Sequence, residues 1–121
     1  MYVKQVIEQV TSKSVWVLWD VIHTALEVDE APSETWGNIG EWVEYTHVKD
    51  GYFEGDRIQV CLLGEGIVPL GQFVEALENG GYDGYYTLEW PLKWNPSLVE
   101  AEIAYPQYVK YMKEIEKSLN R

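Results

Sequence analysis

The sequence predicts an α/β fold with parallel strands joined by crossover helices. Three observations carry this. Helix-like and strand-like segments alternate as helix, strand, helix, strand, helix, strand, helix. The first strand-like segment, Val15-Trp16-Val17-Leu18-Trp19, is an unbroken apolar run, the pattern of a strand buried on both faces. Each of the three strand-like segments stops at a side chain able to ligate a metal: Asp20, His47 and Glu89.

The elements follow in order. Val3, Val6, Ile7 and Val10 recur at helical spacing and predict a helix with one buried face. Thr11-Ser12-Lys13-Ser14 breaks it before the first strand. The acidic run Glu27-Val28-Asp29-Glu30 reads as a solvated loop. Ser33 and Glu34 can open a short helix to about Ile39, although Gly37 and Gly40 weaken it. Trp42 through Val48 is rich in aromatic and β-branched residues and reads as the second strand. Lys49-Asp50-Gly51 reads as a turn. Residues 51–66 read as a long loop, with a short strand at Ile58–Leu63, ending in Gly64-Glu65-Gly66 as a hinge or a point of tight approach.

Pro69 opens a helix that turns Leu70, Phe73, Val74 and Leu77 inward, and Asn79-Gly80-Gly81 closes it. Tyr85 through Leu88 is the third strand. Asn95 followed by Pro96 predicts the start of the last helix, which Pro106 should bend or split. Val109, Met112, Ile115 and Leu119 continue its inner stripe. Trp16 and Trp19 are expected in the core, and Trp36 and Trp42 in the core or at its edge.

At 121 residues the chain is expected to form a single domain over 1–121. Nine Lys and Arg against twenty Asp and Glu leave a net charge of −11. That balance opposes binding to nucleic acid, where clustered positive charge is needed, and to anionic lipid. No run approaches the roughly 18–20 apolar residues of a membrane span, and the first ten residues carry no apolar signal run. The single cysteine, Cys61, cannot form an intrachain disulfide. It lacks a nearby histidine or cysteine and reads as an inert thiol. A cytoplasmic location is the expectation.

In parallel α/β proteins the C-terminal ends of the strands open onto one face, which holds the active site. Asp20, His47 and Glu89 are 27 and then 42 residues apart, yet the topology brings them to that face. Two carboxylates and an imidazole suit one hard or borderline divalent cation. His23 lies three residues past Asp20 and should sit just above it. Each residue also has an ordinary reading, Asp20 as a cap, His47 as a structural histidine and Glu89 as a solvated acid. From the pattern alone the two readings stand level. Trp90 and Trp94 flank the last strand exit, where stacking on a sugar ring and packing of the loop are both open, packing being slightly preferred.

Four motifs in series carry a resemblance. They are Trp19-Asp20-Val21-Ile22-His23-Thr24, Thr46-His47-Val48-Lys49-Asp50, Leu63-Gly64-Glu65-Gly66, and Gly81-Tyr82-Asp83-Gly84 leading to Leu88-Glu89-Trp90. In this order and spacing the chain resembles the xylose isomerase-like TIM barrels, which include sugar isomerases and epimerases and the type IV apurinic endonucleases.

The resemblance implies a partial (β/α)₈ TIM barrel, a C-terminal half-barrel with about three parallel strands. It implies one divalent metal site (Mn, Mg, Zn or Co) held by Asp20, His47 and Glu89. Glu89 doubles as a catalytic carboxylate, and His23 and Arg57 match substrate contacts; Trp90 is a candidate substrate contact on its own chemistry, as an aromatic at the strand exit. Asp50 and Glu65 belong to the motifs without an assigned ligand role. The implied reaction moves a proton alpha to a carbonyl of a sugar or sugar phosphate through an enediolate, between two carboxylates on opposite faces. The second carboxylate of the family lies on an earlier strand, upstream of this chain.

A complete barrel takes about 250 residues. Three strands leave sheet edges open, so self-association into a homo-oligomer is expected. A non-catalytic half-barrel or oligomerisation fragment is the alternative. A metal-dependent endonuclease ranks last, because Asp56-Arg57-Ile58-Gln59-Val60-Cys61 carries no histidine of the kind that branch uses, and the charge opposes DNA.

Overall fold

The computed structural model describes residues 1–120. The chain forms α1 (Tyr2–Ile7), β1 (Val17–Asp20), a π-helical turn (His23–Glu27), α2 (Pro32–Ile39) and a 3₁₀ turn (Gly40–Trp42). It continues through β2 (Val43–Val48), β3 (Asp50–Glu54), β4 (Arg57–Cys61), α3 (Leu70–Asn79), β5 (Tyr86–Leu88) and α4 (Ala101–Leu119). Strands β1, β2 and β5 make a three-stranded sheet in that spatial order, and both pairings are parallel. This is an α/β architecture with parallel strands and helices between them, as the alternation predicts.

The period of two along each strand sorts the side chains. Val17 and Trp19 of β1, Thr46 and Val48 of β2, and Leu88 of β5 are buried. Trp19 is 1% exposed, with its ring edge-on to Phe73 of α3 at 4.6 Å and stacked at 6.5 Å on Trp36 of α2. Leu70, Phe73, Val74 and Leu77 form the buried stripe of α3, as their spacing requires. The core therefore lies between one face of the sheet and helices α2 and α3.

The opposite face is not covered. Leu18 is 49% exposed and Tyr45 is 39% exposed. This corrects the expectation that β1 is buried on both faces: its apolar run alternates, and Trp16 is exposed rather than in the core. The stripe on α1 is likewise half covered, with Ile7 buried and Val3 and Val6 open to solvent. Both corrections have one cause. Apolar residues report what a barrel strand or helix is built to touch, and three strands present only part of such a surround.

Residues 50–61 are not a loop with one short strand. They form an antiparallel hairpin, β3 with β4, closed by the two-residue turn Gly55-Asp56 with Gly55 at φ 66°. Gly64-Glu65-Gly66 is a tight approach, not a hinge. A Cβ on Gly66 would lie 2.2 Å from Asp50 Oδ1 and 2.3 Å from the Gly51 carbonyl oxygen.

The last helix starts at Ala101 rather than at Asn95. The Asn95 carboxamide is engaged locally, accepting from Ser97 Oγ at 2.6 Å, which turns the chain without starting a helix. Pro106 does not split α4, which runs unbroken. The carbonyl it leaves without a donor belongs to Glu102, an exposed residue that water can reach. Gln107 anchors α4 to the end of the hairpin, donating to the Leu63 carbonyl at 2.7 Å, and the Tyr108 hydroxyl donates to the Tyr86 carbonyl of β5.

Candidate metal centre

Asp20 of β1 and His47 of β2 stand at the same register of paired parallel strands, and His47 is opposite Thr87 of β5. Glu89 follows Thr87 by two residues, so it returns to the same side of the sheet. Its backbone N–H is held by the Val48 carbonyl at 3.2 Å. Three chain segments thus deliver three polar tips to the C-terminal mouth of the sheet.

The tips converge. One ligand atom from each of Asp20, His47 and Glu89 lies within 4.8 Å of the other two. His47 Nδ1 is 3.8 Å from Asp20 Oδ2 and 3.4 Å from Glu89 Oε2. Ligands at about 2.0–2.2 Å from a shared ion are separated by roughly 3–4 Å, so the spacing and the mixed oxygen and nitrogen donor set fit a divalent cation. The other oxygen of Asp20 accepts the Ile22 backbone N–H at 3.3 Å, which leaves Oδ2 turned to the centre.

Lys49 completes the cluster, although Lys49-Asp50-Gly51 reads as a turn in the sequence. Its Nζ lies 3.1 Å from Asp20 Oδ2 and also contacts Glu89 Oε2. The side chain is only 9% exposed. The missed signal is the strand period itself, because Tyr45, His47 and Lys49 alternate onto one face. Burial works against the charge of Lys49, but the hydrogen bonds and charges of Glu89 and Asp20 outweigh it, and its pKa rises. Burial raises the Asp20 carboxyl, with Lys49 opposing. The hydrogen bond from Lys49 lowers Glu89, which is the more exposed of the two carboxylates.

His23 sits beside the triad as expected, on the π-helical turn after β1. Its Nε2 is 3.6 Å from Asp20 Oδ2, and its Nδ1 pairs with Glu27 at 3.0 Å. Arg57 lies on the hairpin that follows β2. It opens β4 opposite Glu54, four residues along the hairpin from Asp50, roughly 13 Å at the strand rise. Among the described residues no ion pair joins it to the triad. Trp90 follows Glu89, and its indole N–H donates to the Val99 carbonyl at 2.9 Å, pinning the loop before α4. Trp94 is exposed, with the Lys93 ammonium 5.1 Å from its ring centroid.

Asp50 has a separate task. Its buried carboxylate accepts four backbone N–H groups, from Gly51 (2.8 Å), Gly64 (2.8 Å), Gly66 (3.1 Å) and Val68 (3.1 Å). It holds the base of the hairpin to the loop before α3. Glu65 is exposed between the two glycines.

The family model of the xylose isomerase-like TIM barrel matches residues 3–115. The chain belongs to this family. Sugar isomerases and epimerases are among the members of the xylose isomerase-like barrels. A crystal structure of a xylose isomerase domain protein from Planctomyces limnophilus is similar in fold, with a TM-score of 0.81 at 21% identity. The likeness covers 97% of this chain and 43% of that one, so the chain spans less than half the length of its structural relative. No curated protein matches the sequence. No helix among the described residues is long and apolar enough to cross a membrane.

Proposed function

We propose that Asp20, His47 and Glu89 hold one divalent cation (Mn²⁺, Mg²⁺, Zn²⁺ or Co²⁺) and that the chain contributes this centre to an isomerase or epimerase of sugars or sugar phosphates. The carrying observation is the convergence of two carboxylates and an imidazole within 4.8 Å at the ends of three parallel strands. A bound cation would supply Lewis acidity, making the C–H beside a carbonyl easier to ionise. Glu89 is the proton-transferring group of this set, because its carboxylate is partly open to the mouth of the sheet while Asp20 is enclosed. His23, exposed above Asp20, is placed to hydrogen-bond a substrate hydroxyl. The second carboxylate needed on the opposite face of the substrate belongs, on the resemblance, to an earlier barrel strand, and the chain corresponds to the last three.

Calorimetric titration with Mn²⁺ at neutral pH tests the centre. Wild-type protein should bind one ion, and Asp20→Ala and His47→Ala should each abolish binding while preserving the far-UV circular dichroism. Wild-type protein that takes up no ion would refute the reading.

We also propose that the open face and edges of the sheet are covered by a second copy of the chain. Strands β1 and β5 each have one free edge. Trp16, Leu18 and Tyr45 are exposed near the first. Along the second, Tyr85, Tyr86, Val109 and Met112 line a groove of about 680 Å³. Unpaired strand edges beside exposed apolar side chains favour association.

A further inference from the structure

We infer that Lys49 is a built-in cation that competes with the divalent ion for Asp20 and Glu89, so that the ion enters only by displacing the ammonium. The inference rests on the metal reading above and concerns what sets the affinity of that centre. The two oxygens that His47 Nδ1 faces, Asp20 Oδ2 and Glu89 Oε2, are the same two that Lys49 Nζ contacts. Among the described residues these carboxylates are the only ion-pair partners of Lys49. An ion about 2.2 Å from Asp20 Oδ2 would fall within about 5 Å of an ammonium 3.1 Å from that same oxygen. Two cations that close, in a cleft where the lysine side chain is 9% exposed, repel with little screening.

The arrangement follows from the strand period. Lys49 comes two residues after His47 and emerges on its side of the sheet, so the ammonium is delivered to the centre by the same strand that delivers the imidazole. Without the ion its single positive charge offsets one of the two carboxylate charges and weakens their mutual repulsion. With the ion bound, those oxygens are taken and the ammonium must turn toward the open mouth.

Mn²⁺ titration by calorimetry, with chelator competition, of wild type, Lys49→Met and Lys49→Gln tests this. Both substitutions keep a long side chain and remove the charge, and the glutamine can still donate to a carboxylate if the methionine variant does not fold. The expected result is one site in each protein, bound at least tenfold more tightly by the variants. One-site binding by wild type with equal or weaker binding by the variants overturns the competition and leaves the metal reading standing. A wild type that binds nothing refutes the metal reading for the native chain, and with it the displacement, even where a variant binds one ion. No binding by any of the three sinks both readings. In the wild-type chain, amine acylation followed by mass spectrometry gives a second readout. Mn²⁺ should raise labelling at Lys49, and unchanged or reduced labelling overturns the displacement.

Discussion

The carboxylate of Asp50 and the backbone of Gly66 are in direct contact: the Gly66 N–H lies 3.1 Å from Oδ2, and a Cβ on Gly66 would meet Oδ1 at 2.2 Å. One buried acid thus fixes a loop that begins 14 residues away. Asp50→Ala strips the acceptor from four backbone amides, three of them beyond its own turn. Hydrogen bonds to a charged acceptor contribute about 1.5–3 kcal/mol each, and their losses are not additive here. A loss of about 3 kcal/mol or more is expected in urea unfolding. Gly66→Ala should lose a comparable amount, because the atoms it meets include the Gly51 carbonyl. If both variants unfold at the wild-type midpoint, the pin has no structural weight.

Trp19 links the core to the site. It is fully buried, and its indole N–H donates to Thr24 Oγ1 at 2.9 Å, on the turn that carries His23. It also immediately precedes Asp20. Trp19→Ala leaves a large cavity against Phe73 and should cost about 3–5 kcal/mol, a large share of a domain's stability. Trp19→Phe keeps most of the packing and loses the hydrogen bond, so a loss of about 1–2 kcal/mol is expected. Thermal melts followed by circular dichroism order the three proteins, and an order other than wild type, Phe, Ala contradicts the packing argument.

The alternation of helices and strands was legible because it rests on periodicities of 3.6 and 2, which survive without tertiary context. The triad was legible for a related reason. Parallel strands all end on one face, so Asp20, His47 and Glu89 had to meet if the strands were parallel. The hairpin at 50–61 carries a readable sign, Gly55-Asp56 between Tyr52-Phe53 and Ile58-Gln59-Val60, but the flanking runs are only half apolar and so resemble a long loop. Lys49 was obscured by its neighbours, since Lys-Asp-Gly is turn chemistry locally while its face is decided by the strand before it. The exposure of Leu18 and Trp16 was not readable, because an apolar residue does not state whether its covering element is present.

Cys61 should be unreactive in the folded chain. Burial, with the nearby charges of Asp50 and Glu65, pushes its thiol up to about 12. The thiolate is the nucleophile, and an ordinary cysteine near pKa 8.5 is about a quarter ionised at pH 8. At a pKa of about 12 the ionised fraction falls by roughly three orders of magnitude. Iodoacetamide at pH 8 should therefore label the native protein far more slowly than the urea-unfolded protein. The native rate should also keep rising as the pH is taken above 9, where a free thiol levels off. Equal native and unfolded rates would show that the thiol is ordinary.

Self-association is tested by sedimentation velocity. Leu18 lies on the uncovered face of β1, one residue from the buried Trp19, and its side chain contributes nothing to the core described above. If a second copy covers this face, wild-type protein at tens of micromolar should sediment as a dimer or larger. Leu18→Lys places a charge where an apolar contact is required, and a buried unpaired charge opposes the complex strongly. The variant should shift toward monomer while its melting temperature at low concentration stays close to that of wild type, since the substituted side chain is solvent-exposed in the monomer. On the β5 edge, Tyr85→Lys should act in the same direction if that groove also takes part in the contact. A wild-type chain that sediments as a monomer throughout this range rules out the second copy as the covering partner and leaves the two free edges to another polypeptide.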